Sequence, residues 1–252
     1  VDQRTQGVVM LALATVSIRL CLSGLALSYI KDDYVPILLV ASILIAVLGV
    51  VTLYRGHQRA MAALDHEQLA VEGSDHPHAH GHDHAGGPRI AWFLTAPLFA
   101  LLLVAPPPLG AFAANRQATT VVQTTSGFPE LPEAVEGAVP LRVSEFSARA
   151  LYDTEESLDD VTVRLTGFVS DTLPDGFVLT RFSLSCCAAD GTAYSVEVRG
   201  TDLSPPIDQW VEVVGEWQNR DGHVIGEFSD QPPLLSATST VEIPQPESPY
   251  EG

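Results

Sequence analysis

Two long apolar runs near the amino terminus, residues 7–30 and 35–53, constrain this chain more than any other feature. At 1.5 Å per residue, helices of about 24 and 19 residues reach across a hydrocarbon layer of about 30 Å. Lys31, Asp32 and Asp33 form the polar connection between them, and Tyr29 falls where an interfacial aromatic belongs. Pro36 sits in the first turn of the second run, where its missing amide donor costs little. A third apolar segment, residues 90–105, stops at Pro106-Pro107-Pro108. It reads as a retained anchor, although Ala111-Phe112-Ala113 also has the small-residue pattern of a cleavage site. The first expectation is therefore a membrane α region of two to three transmembrane helices.

Charge orients these helices. Arg55, Arg59 and Arg89 flank the connection between the second and third segments, and Arg4 precedes the first. The positive-inside rule places the amino terminus and residues 57–89 in the cytoplasm, and residues 115–252 outside it, for a multi-pass protein of the cell membrane. Arg19 falls near the middle of the first run, where an unpartnered cation costs about 2.5 kcal/mol or more. It snorkels to helix-end carbonyls, contacts a partner subunit or lines a substrate path, since the apolar runs contain no acidic residue to pair with it.

The segment from 57 to 89 carries His66 and then Asp75, His76, His78, His80, His82, Asp83 and His84 in a Gly, Ala and Pro background. Alternate neutral imidazoles suit zinc, copper or nickel, and lose that capacity as they protonate near pH ~6.5. The tract lacks the paired spacing of a structural zinc site, so loose metal capture is expected, against the plain alternative of a solvated linker.

Beyond Asn115 the chain holds 7 basic residues against 23 acidic ones, a balance of −16 out of −18 for the whole. Such a domain repels phosphate backbones, which excludes nucleic acid as a partner. Residues 115–140, rich in Thr, Glu, Pro and Gly, read as a linker. Residues 143–152 space Val143, Phe146, Ala150 and Leu151 as an amphipathic helix does, with Ser144 as a candidate cap. Strands are expected at 161–169, 176–186, 193–198, 210–217, 223–228 and 234–243, separated by Gly- and Asp-containing turns. Residues 141–246 are thus expected to form a small all-β domain, an OB-like barrel or alternatively a β-sandwich, followed by a short tail at 247–252. Trp210 and Trp217 read as core or rim aromatics.

The stretch FVLTRFSLSCCAAD, residues 177–190, is the most unusual in that domain. Strand alternation puts Phe182, Leu184 and Cys186 on one face and Arg181, Ser183, Ser185 and Cys187 on the other. Cys186 is then a structural thiol in the core, while Cys187 and Asp190 are candidate metal ligands. A vicinal disulfide in an extended strand is strained, so disulfide, metal-held thiolates and buried thiols stay open as alternatives. Cys21, in the first apolar run, reads as an inert small hydrophobe. Nothing resembles a nucleophile with its base, a phosphate loop or a Cys-x-x-Cys motif, and the chain is read as a non-enzyme.

Gly176-Phe177-Val178, Arg181-Phe182, Ser185-Cys186-Cys187-Ala188-Ala189-Asp190 and Trp210-Val211-Glu212-Val213-Val214-Gly215 together resemble the carboxy-terminal domain of the YcgQ-type family. These are two-component permease subunits in which a few membrane helices precede one soluble β domain. The resemblance spans the helices and the soluble domain. It implies a larger multi-helix permease subunit as partner, and a link to zinc or another divalent metal. Three spans with one intramembrane charge are too few for a transport path of their own, which fits an accessory role. The alternatives are an extracytoplasmic thiol oxidoreductase using Cys186 and Cys187, and a stand-alone metal-binding envelope protein.

Overall fold

The computed structural model describes residues 3–71, 107–117, 127–220, 224–227 and 229–251. The chain divides into two compact units, one of residues 1–26 and 33–106, the other of residues 27–32 and 107–252. The third apolar segment and the tract from His76 to His84 lie outside the described residues.

The first unit contains α1 (Gln3–Leu22) and α2 (Val35–Val71), both long and apolar enough to cross a membrane. They pack closely through glycine. A Cβ built on Gly7 would lie 2.6 Å from Leu53 Cγ, and one on Gly49 would lie 3.0 Å from Leu11 Cγ, the small-residue contact by which apolar helices approach without a hydrophobic driving force. Ile37, Val40, Leu44, Val47 and Leu48 remain exposed on α2.

Two expectations change here. Helix α1 stops at Leu22 rather than reaching residue 30, because Gly24 takes a left-handed φ of 76° just past its end while the Ser23 amide donates to the Arg19 carbonyl at 2.9 Å. Arg19 consequently lies exposed in the last turn of α1, not at mid-span. A cation there favours the helix dipole and can snorkel outward. Helix α2 continues well past residue 53, since residues 57–71 supply Ala, Met, Leu, Gln and Glu with neither proline nor glycine. The first part of the expected loop is therefore helical.

The second unit is built from α3 (Ala111–Ala114), β1 (Val139–Pro140), α4 (Val143–Tyr152), β2 (Thr162–Leu173), β3 (Gly176–Ser183), β4 (Thr192–Arg199), β5 (Trp210–Gln218), β6 (Leu234–Ile243) and β7 (Tyr250–Glu251). All seven strands belong to one mixed sheet of order β1-β2-β5-β6-β4-β3-β7, and β3 pairs again with β2. The β2–β3 hairpin closes tightly, with Leu173 opposite Gly176. β4 and β6 run parallel; β5 pairs antiparallel with both β2 and β6. Residues 224–227 form a turn in place of the expected strand at 223–228, and His223 lies outside the described residues.

One core gathers Phe146 and Ala150 of α4 with Val163, Leu165, Phe177, Leu179, Val196 and Leu235; Trp217 packs partly against it. A second gathers Phe168, Phe182, Leu184, Trp210 and Tyr250 around Ala111 and Ala114. Of the Ala111-Phe112-Ala113 pattern, Ala111 is thus domain core and Ala113 packs partly against it, while Phe112 is exposed. The two ends of the expected linker are also integrated. Gln117 donates to the Gly191 carbonyl at 2.8 Å and accepts from the Ala193 amide at 2.9 Å, while Arg149 Nη2 donates to the Pro129 carbonyl at 2.7 Å.

Helix α4 has the expected bounds and buried face, but Ser144 is not its cap. The amides of Val143 and Ser144 donate instead to the Glu251 carboxylate, at 2.6 and 3.0 Å. A carboxylate at a helix amino terminus satisfies two orphan donors and complements the dipole.

Candidate metal centre

Strand β3 was expected to run through Cys186. It ends at Ser183, and Leu184, whose amide donates to the Glu251 carbonyl at 2.9 Å, is the last residue directed into the core. The chain then wraps around one side chain. The Asp190 carboxylate accepts from the backbone amides of Ser185 and Cys186, both at 2.9 Å, and of Cys187 at 3.3 Å. The Asp190 amide donates back to the Cys187 carbonyl at 3.0 Å, closing a short 3-10 turn at Ala188–Asp190. Amides that find their acceptor in a carboxylate no longer need a neighbouring strand, so the alternation fails at this point. Cys186 is exposed as a result, which corrects its expected burial beside Phe182 and Leu184. Cys187 is half-buried.

This loop is held from a second direction. The Lys31 amide donates to the Cys186 carbonyl at 3.1 Å, the Ala188 amide donates to the Tyr29 carbonyl at 2.8 Å, and Ile30 faces Cys187 in an antiparallel bridge. Tyr250 Oη extends the tie by donating to the Ser28 carbonyl and accepting from the Leu109 amide, both at 2.9 Å.

Two thiols and a carboxylate converge as a consequence. The ligand atoms of Cys186, Cys187 and Asp190 all lie within 4.8 Å of one another, and the sulfurs are 3.4 Å apart. Cys187 and Asp190 come together as expected, and Cys186 joins them. The spacing held a signal for this: an acidic residue three positions past Cys187 matches a capping box, which is what forms. Hydrogen bonding to Asp190 and then to Cys187 pushes the Cys186 thiol up to about 12. The same bond from Cys186, with the backbone amides, holds Asp190 below the usual carboxylate range. A thiol so protonated is a weak nucleophile at neutral pH, which disfavours attack on a disulfide. A soft divalent metal can displace its proton, and two sulfurs with one oxygen supply three of the four donors that zinc takes. The group could hold a metal ion.

Family comparison matches the DUF1980 N-terminal domain over residues 5–119 and the DUF1980 C-terminal domain over residues 145–251. The chain carries both DUF1980 domains. α1 and α2 lie in the first and the Cys-Cys-Ala-Ala-Asp loop in the second, so the family resemblance seen in the sequence holds at the level of DUF1980. Among curated proteins, none matches the chain. Among solved structures, the telomere capping protein Ten1 from Saccharomyces pombe is similar at 16% identity and a TM-score of 0.24, covering 42% of this chain and 80% of that one. The S. pombe Stn1-Ten1 complex is similar at 14% identity and a TM-score of 0.24, covering 44% and 81%. Likeness of that extent carries no functional argument.

Proposed function

We propose that this DUF1980 chain is an accessory integral-membrane subunit of a permease, and that its β domain offers a thiophilic divalent metal a site at Cys186, Cys187 and Asp190 outside the cytoplasm. The observation that carries this reading is the convergence of the three donors on a loop bonded to Tyr29–Lys31, the segment that follows the first apolar helix. The cycle of pairings through β2, β5, β6, β4, β3 and back to β2 supports the small OB-like barrel expected from the sequence. The exposed apolar side chains of α2 support membrane insertion, and two helices with few polar groups leave the transport path to a larger partner. On this reading the chain is not itself an enzyme; Cys186 and Cys187 serve as ligands.

The experiment is purification of the full chain with its native membrane partners in mild detergent, followed by metal analysis. Co-purification of a multi-helix membrane protein, with zinc or a similar metal bound in proportion to the chain, is the expected result. Recovery alone and metal-free would refute it.

An extracytoplasmic β domain is part of this reading. Residues 27–32 join α1 to α2 yet belong to the same unit as the β domain. With both helices spanning, that connection and the β domain share one side of the membrane. In a background with Cys186 and Cys187 replaced by Ala, a cysteine at exposed Asp202 is expected to react with an impermeant thiol reagent on intact cells. Reaction only after permeabilisation would reverse the assignment.

A further inference from the structure

A cavity of about 540 Å³ opens on the β domain beside the metal loop, well within the size range of small-molecule sites. In a region with 23 acidic residues against 7 basic ones, three of those seven, Arg142, Arg164 and Arg181, line it. Arg181 is central. Half-buried, its terminal nitrogens donate to the carbonyls of Thr166 at 3.2 Å and Ser248 at 2.9 Å, and its guanidinium lies 5.4 Å from the Trp210 ring. Among the described residues no carboxylate lies within ion-pair distance of it. Glu251, the carboxylate that acts on it electrostatically, is committed to the α4 amides. Arg164 is paired, hydrogen-bonding Glu136 from Nη2 at 3.2 Å and facing Glu212 from Nε at 3.6 Å, whereas the Nε of Arg181 is buried without an acceptor. Arg142 is exposed and forms no ion pair among the described residues.

Cations taken out of water are normally paired, and an under-paired guanidinium beside an open cavity is completed by an anion from outside. The planar fork of arginine matches the oxygens of a carboxylate or phosphate. Lys31 adds a further positive group to the wall; Asp32 and Glu212 are its other carboxylates and set a limit on how much negative charge the ligand can bring. We propose that this cavity is a binding site for a small soluble oxyanion, a carboxylate or phosphate compound, held by Arg142, Arg164 and Arg181.

The test is calorimetric titration of the detergent-solubilised full chain with citrate and with inorganic phosphate at low ionic strength. Saturable binding of at least one is expected, and which one binds separates the carboxylate from the phosphate source. Arg181→Gln and Arg142→Ser are each expected to weaken it at least about tenfold. Arg116→Ser, which removes a cation stacked on Phe112 away from the cavity, is expected to leave it unchanged. Should Arg181→Gln fail to fold, the surface variant Arg142→Ser decides. No saturable binding of either anion, or wild-type affinity in the Arg142 and Arg181 variants, overturns the proposal.

Discussion

If zinc occupies the proposed site, Cys186→Ser and Cys187→Ser are both expected to weaken its binding by more than the ~10–100-fold typical of losing an outer-shell partner, because each removes a sulfur donor of that site. Both are expected to leave the thermal midpoint of the metal-free protein unchanged, since Cys186 is exposed, Cys187 is half-buried, and the loop is held by the Asp190 carboxylate and by Tyr29 and Lys31 rather than by thiol packing. Strand alternation alone had implied the opposite for Cys186, a destabilised core. The measurement is competition against a chromophoric chelator, using the full chain with His76, His78, His80, His82 and His84 replaced by Ala so that the tract contributes nothing. Affinity should also rise with pH. The thiol of Cys186 is pushed up to about 12, so it is protonated through the neutral range, and every proton displaced by metal adds about tenfold per pH unit. Wild-type affinity in Cys186→Ser would reduce the site to Cys187 and Asp190; a lowered midpoint would show that Cys186 packs after all.

The contrast shows where sequence reasoning has purchase. Helix α4 was legible to the residue because Val143, Phe146, Ala150 and Leu151 carry a 3.6-residue period that only one buried face can satisfy. The strands from β2 to β6 were legible from alternation and turn residues, although β3 and β2 differ from expectation at their ends. What periodicity cannot see is a side chain that substitutes for a strand. Asp190 captures three amides and turns the chain away, moving Cys186 from the core to the surface. Nor can it see a contact distant in sequence. The cation cavity draws together Arg142, just before α4, Arg164 of β2 and Arg181 of β3, and no local pattern announces it. The stop at Gly24 was readable, because glycine just past an apolar helix is a termination signal; the largely apolar residues 25–30 beyond it concealed it.

Loss of the Glu251 side chain is expected to destabilise the β domain at the start of α4. Its side chain is buried, and it receives the first two amides of α4, one of which belongs to fully buried Val143. Its backbone meanwhile pairs with Ser183 of β3 and accepts from Leu184. Glu251→Ala leaves the backbone pairing intact but orphans both donors and removes the negative charge from the positive end of the helix. The expected destabilisation is roughly 2–4 kcal/mol, from one buried and one part-buried donor left unsatisfied at about 1–3 kcal/mol each, partly relieved by water. Glu251→Gln retains one acceptor oxygen and should lose roughly half as much. Thermal unfolding of the full chain in detergent, followed through Trp210 and Trp217, reads both. Ser144→Ala serves as the comparison: its hydroxyl caps nothing in α4, so its midpoint should match the wild type. If Ser144→Ala and Glu251→Ala melt alike, the helix is not capped from β7, and the tie between the carboxy-terminal strand and the start of α4 is energetically idle.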